Sequence, residues 1–154
     1  MCRRSLMVAV LALARASRVV FSAQKLIKGS NLEAAFEDNA LAMFNYMTPL
    51  DDDVLRNDEH HPKVYRVSAH DLHSLLFAFL DEALVTFATE LYVPTNIKVT
   101  KLDREQWSIE AVASGIKYVD GKHLQGTEVK AITYSAMKVE EKEGRADVWC
   151  IVDI

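Results

Sequence analysis

Cysteine is nearly absent. Only Cys2 and Cys150 occur in 154 residues, too few for a disulfide framework or a zinc cluster, so a reducing compartment is expected. Glycine-rich signatures are missing too. There is no phosphate-binding loop, dinucleotide fingerprint or nucleophile elbow, and Ser114-Gly115 and Gly126 stand isolated. Nor is there an excess of positive charge. The formal net charge is −4, whereas a general nucleic-acid binder needs a basic face to displace counterions. The apolar run Leu6 to Ala14 is too short to span a membrane. No internal repeat, low-complexity tract or linker divides the rest.

Acidic residues are missing from the start of the chain, where Glu33 is the first. Arg3, Arg4, Arg15, Arg18, Lys25 and Lys28 all precede it, which leaves 12 basic residues against 22 acidic ones, or −10, for the remainder. Residues 1–23 thus form an atypical N-terminal segment. An apolar run behind Arg3 and Arg4, followed by the small residues Ala12, Ala14 and Ala16, has the layout of a secretory signal or an arginine-rich transit peptide. It fits equally an unusual first segment or an alternative start, and it is kept out of the fold reasoning. Residues 24–154 are expected to form one domain, long enough to bury a core without metals or disulfides.

What is present is periodic. Ser30 and Glu33 fit a capping box, and behind them Leu32, Ala35, Phe36, Ala40, Met43, Phe44 and Met47 recur at helical spacing up to Pro49. Pro49 to Lys63 reads as an acidic loop and Val64 to Ala69 as a strand. Asp71 is the expected N-cap of a second helix, whose stripe runs from Leu72 through Leu75, Leu76, Phe79, Leu80, Ala83, Leu84 and Phe87 to Leu91. Strands are expected at Ile97 to Asp103, Gln106 to Ala113, Ile116 to Val119, Thr127 to Val139 and Ala146 to Asp153, with a charged turn around Gly144. The expected fold class is α+β, a two-layer sandwich with a mainly antiparallel sheet packed against two helices.

Four groups of residues have the chemistry of a site. His70 and His73 share a helix face and could hold a transition metal, but no third ligand is nearby, and exposed histidines in a capping region explain them better. His60-His61 lies in a polar loop. Asp51-Asp52-Asp53 lacks the glycine and the distal glutamate of a calcium loop and reads as acidic surface. At the C-terminus, the Asp153 side chain and the α-carboxylate of Ile154 make half of a site for a hard cation, Ca²⁺, Mg²⁺ or Mn²⁺.

The stretch Lys122-His123-Leu124-Gln125-Gly126-Thr127-Glu128-Val129-Lys130-Ala131-Ile132-Thr133-Tyr134-Ser135-Ala136-Met137 closely resembles the signature of the archease family. The ending Val152-Asp153-Ile154 does so too, as do Leu32 to Thr48 and Asp71 to Glu82. The resemblance implies a partner rather than an enzyme. Archeases assist the RtcB-type tRNA-splicing RNA ligase complex, promoting guanylylation and repeated turnover while catalysing no ligation themselves. It also implies a cytoplasmic and/or nuclear protein, with organelle targeting by residues 1–23 as the alternative. No direct nucleic-acid binding and no stable membrane association are expected. The family's metal site uses an N-terminal aspartate, the penultimate aspartate and the terminal carboxylate. The last two correspond here to Asp153 and Ile154, and the motif lysine beside them to Lys130. A chaperone-like protein- or RNA-binding module without a metal role is the alternative reading. A hydrolase using His70, Asp71 or His123 has no nucleophile behind it.

The chain departs from the family at its start. The strand with a His-Thr/Pro-Ala-Asp motif that supplies the first metal aspartate is absent, and Lys25 to Gly29 looks like the remnant of the strand after it. An incomplete divalent-metal site, an exposed sheet edge and a less stable core are therefore expected.

Overall fold

The computed structural model describes residues 31–154 in full and residues 20–28 as backbone. The run Leu6 to Ala14, Cys2 and the expected cap Ser30 lie outside the described residues.

Helix α1 spans Leu32–Met47. Its observed cap is Asn31, whose Oδ1 accepts the Ala34 N–H at 3.0 Å. Asparagine caps as well as serine does, so the start sits one residue later than the expected box. Thr48 ends the helix ahead of Pro49. The supposed loop that follows contains a one-turn helix, α2, at Asp53–Arg56, capped by Asp52. Helix α3 spans Leu72–Glu90. Asp71 caps it as expected: its Oδ1 accepts the Ser74 N–H at 2.7 Å, and Ser74 Oγ accepts the Asp71 N–H at 3.1 Å. The Ser74 backbone donor, with its hydroxyl, holds the Asp71 carboxyl below its ordinary value.

The strands are β1 (Val20–Lys28), β2 (His61–Ser68), β3 (Tyr92–Asp103), β4 (Ser108–Lys117), β5 (Ala131–Lys142) and β6 (Arg145–Asp153). They form two antiparallel three-stranded sheets, β1-β6-β5 and β2-β4-β3. The class is α+β with antiparallel pairing, as expected, and the sheet is divided in two. Helix α1 packs on β3 of one sheet and on β6 and β1 of the other, while α3 packs on β5 and β2. Each long helix therefore bridges both sheets.

β2 and β3 begin three and five residues before the expected Val64 and Ile97, at His61 and Tyr92, and the other departures are larger in kind. β4 runs unbroken through Ser114-Gly115, because a Cβ at Gly115 would stand 2.2 Å from the Val93 carbonyl oxygen. Here glycine marks a close backbone approach within a strand, not its end. β5 begins only at Ala131. Its pairing jumps from Thr133 opposite Ile151 to Lys138 opposite Trp149, so Tyr134 to Met137 bulge out, with Ala136 at φ 50°. Finally, β1 begins at Val20, upstream of the expected remnant and inside the segment set aside as atypical. It pairs with β6 along its whole length, from Val20 opposite Asp153 to Lys28 opposite Arg145. Strand-favouring residues such as Val20 and Phe21 meet an open edge there, so β6 is not left bare.

The core forms where the helix stripes meet the sheets, around Phe36, Phe44, Tyr65, Leu75, Leu76, Phe79 and Leu80. Phe36 stacks on Phe79 at 6.1 Å, and Tyr65 meets Phe79 edge-on at 6.5 Å. Glu37 fastens α1 to a bulge in β3, accepting the Val99 N–H at 2.8 Å and pairing with Lys98 at 3.2 Å.

Tyr65 is fully buried, and its hydroxyl has no hydrogen-bond partner among the described residues. Burial pushes its phenol well above the usual value. Tyr65→Phe removes that desolvated group and keeps the ring. It is expected to stabilise the fold by about 1 kcal/mol, raising the thermal midpoint by roughly 2–4 °C. A lower midpoint in calorimetry would show that the hydroxyl is satisfied.

Candidate functional site

Lys122 to Lys130 forms neither helix nor strand, yet it is fastened along its length. The side chain of His123 is fully hidden. Its Nδ1 accepts the Val119 N–H at 2.9 Å, so the ring proton sits on Nε2, which donates to Asp58 Oδ2 at 3.0 Å. Lys122 Nζ donates to the same oxygen at 2.6 Å. The Lys122 hydrogen bond, then the Glu59 N–H, with His123 adding, draw the Asp58 carboxyl down to about 2.

Further along, the Leu124 carbonyl accepts the Thr48 hydroxyl at 2.6 Å. The Gly126 and Thr127 N–H groups donate to the Met47 and Tyr46 carbonyls, at 2.7 and 3.0 Å. These are carbonyls in the last turn of α1, which has no partners for them within the helix. The approach is so close that a Cβ on Gly126 would lie 2.3 Å from the Tyr46 oxygen and 3.0 Å from the Met47 oxygen. Val129 is buried, and the Lys130 N–H donates to the Asp153 carbonyl at 2.7 Å.

This strap carries Lys130 to the end of β6. Lys130 is exposed, while Asp153 and the following Ile154 are half-buried. On the opposite flank of β6, the register sets Val20 against Asp153 and Ser22 against Ile151, and β1 contains no aspartate or glutamate. Among the described residues, no three His, Cys, Asp or Glu side chains gather closely enough to hold a metal ion. A hard cation takes six or more oxygen ligands, so the donors around Asp153 do not by themselves make its site.

The other sequence candidates lie elsewhere. His60, His61, His70 and His73 are exposed, Asp71 caps α3 and Asp52 caps α2. His123 is an anchor of the strap. Asp58 and Thr48 had no local signal, since their partners lie 65 and 76 residues away. Gly126 had a weak one: a lone glycine just ahead of the strand-like run from Thr127 marks a turn or a close backbone approach.

Residues 23–154 match the archease protein family. An archease-like protein of Dictyostelium discoideum is 44% identical over 126 residues, covering 82% of this chain and 83% of its own. The archease of Ictalurus punctatus is 41% identical over 133 residues, covering 82% and 75%. The solution structure of a Methanobacterium thermoautotrophicum protein superposes with a TM-score of 0.61 at 27% identity, covering 92% of this chain and 96% of that one. The crystal structure of a Thermotoga maritima archease, described as a possible chaperone, superposes at 0.54 and 16% identity over 100% and 99%, a likeness of fold alone.

Gly126→Ala forces the strap off the end of α1 and is expected to cost about 1–3 kcal/mol, with faster amide exchange at Thr127 and Lys130. Unchanged exchange would show that the strap tolerates a side chain. Asp58 gives a pH signature. A depressed carboxyl stabilises fully above its unfolded value of 3.8 and loses that contribution as pH falls toward about 2. The gap in thermal midpoint between wild type and Asp58→Asn should therefore be present at neutral pH and close across that acid window. A gap independent of pH would exclude the ionic anchor.

Proposed function

Because this chain belongs to the archease family, we propose that it acts as an accessory protein of an RtcB-type tRNA-splicing RNA ligase complex, promoting guanylylation of the ligase and its repeated turnover. The observation that carries this reading is the Lys130 N–H bond to the Asp153 carbonyl at 2.7 Å. It sets the exposed residue Lys130 next to Asp153 and the following Ile154 at one sheet end. Such a cation suits a nucleotide phosphate or a carboxylate of the ligase. The −10 balance beyond the first six basic residues favours a protein surface over RNA as the partner. A divalent cation, Ca²⁺, Mn²⁺ or Mg²⁺, would find two carboxylates here and no acid on β1, so this chain holds it weakly and stimulates the ligase less than a relative with the third acid.

The test measures GTP-dependent labelling of a purified RtcB-type ligase. The chain is expected to stimulate labelling above that of the ligase alone. Lys130→Ala and Asp153→Ala should each reduce that stimulation roughly tenfold. If both are silent, the protein is a chaperone-like binding module instead. Calorimetric titration with Ca²⁺ or Mn²⁺ is expected to show binding weaker than micromolar, and a tighter value would mean that a further ligand completes the site.

A further inference from the structure

A second site lies on the other side of the strap. A cavity of about 290 Å³ opens between the end of α1, the last turn of α3 and the strap, and is lined by Met47, Thr48, Phe87, Tyr118, Gln125 and Glu128. It falls just below the roughly 300–1,000 Å³ typical of small-molecule sites, a size that suits one side chain rather than a nucleotide. Its aromatic wall is made by Phe87 and Tyr118, edge-to-face at 6.2 Å.

The polar group exposed at its rim calls for a donor. Glu128 is exposed and makes no ion pair among the described residues. Two helices also end here. The last turns of α1 and α3 contain no basic residue; the strap amides already close the end of α1, which leaves the C-terminal end of α3 to favour a cation.

We propose that this cavity is a socket for the arginine side chain of a partner protein. A guanidinium is flat enough to lie against the Phe87 and Tyr118 rings, and cation–π attraction favours it there. Its fork of donors can engage the exposed Glu128 carboxylate at the rim while its face lies on the rings. Lysine offers a compact, strongly hydrated charge that fits this wall less well. The socket stands apart from the Lys130–Asp153 edge and does not depend on the ligase reading.

The probe is N-acetyl-arginine-N-methylamide, titrated into the full chain and followed by two-dimensional NMR. Saturable shifts are expected at Phe87, Tyr118, Gln125 and Glu128. The corresponding citrulline amide, isosteric but uncharged, should produce none. Glu128→Gln, an exposed change that spares the fold, should weaken binding about fivefold. Absence of saturable shifts, equal binding of citrulline, or indifference to Glu128→Gln would each overturn the socket. Free arginine binding more tightly than the blocked amide would overturn the assignment to a partner protein in favour of the free amino acid.

Discussion

The backbone hydrogen bonds from Gly126 and Thr127 onto the last turn of α1 are the constraint on which the C-terminal half is arranged. An α-helix ends with carbonyls that need donors, and here two of those donors come from a segment nearly 80 residues downstream. Once Gly126 is seated, Leu124 lies within reach of Thr48 and His123 within reach of Asp58. In the other direction, the chain passes through buried Val129 and enters β5 beside the end of β6. The position of Lys130 next to Asp153 thus follows from how a helix is closed, not from any attraction between the two side chains.

The same strap serves both surfaces described above. Its middle walls the aromatic cavity with Gln125 and Glu128, and its end presents Lys130. Val129 points into the core between them and fixes their spacing. A partner that engaged the cavity would therefore be held within a few residues of the β6 end. That coupling comes from the backbone and would persist whether or not a cation binds at Asp153.

Much of the architecture was legible in the sequence because it rests on local rules. The apolar stripes of α1 and α3 and the Asp71 cap are short-range patterns, and each appears where the pattern puts it. Gly144 takes its turn with φ 68°, as a glycine in a charged hairpin should. The misplacements share a cause: each depends on something distant in the chain. Gly115 resembles a turn until the β3 backbone is known to press against it. The strand from Val20 is recruited by β6, more than a hundred residues later. Thr127 to Lys130 has strand-like composition, but the end of α1 claims its first amide before a ladder can form. For the candidate site, Asp153 and Ile154 stood out as two neighbouring carboxylates, and Lys130 through the resemblance of its motif. Asp58, Thr48 and the Phe87–Tyr118 wall could not, because no local rule pairs residues so far apart.

The irregular strands have one more consequence. Dividing the sheet in two creates four edges instead of two, and each is a template on which another chain could pair. Pro62 in β2 and Pro94 in β3 remove amide donors, β3 shifts register twice, and Tyr134 to Met137 lift β5 out of line. Three of the four rims formed by the described strands are thus poor seeds for cross-β stacking. The bulges that make this chain hard to read from its sequence also interrupt the straight edge on which a second copy would have to pair.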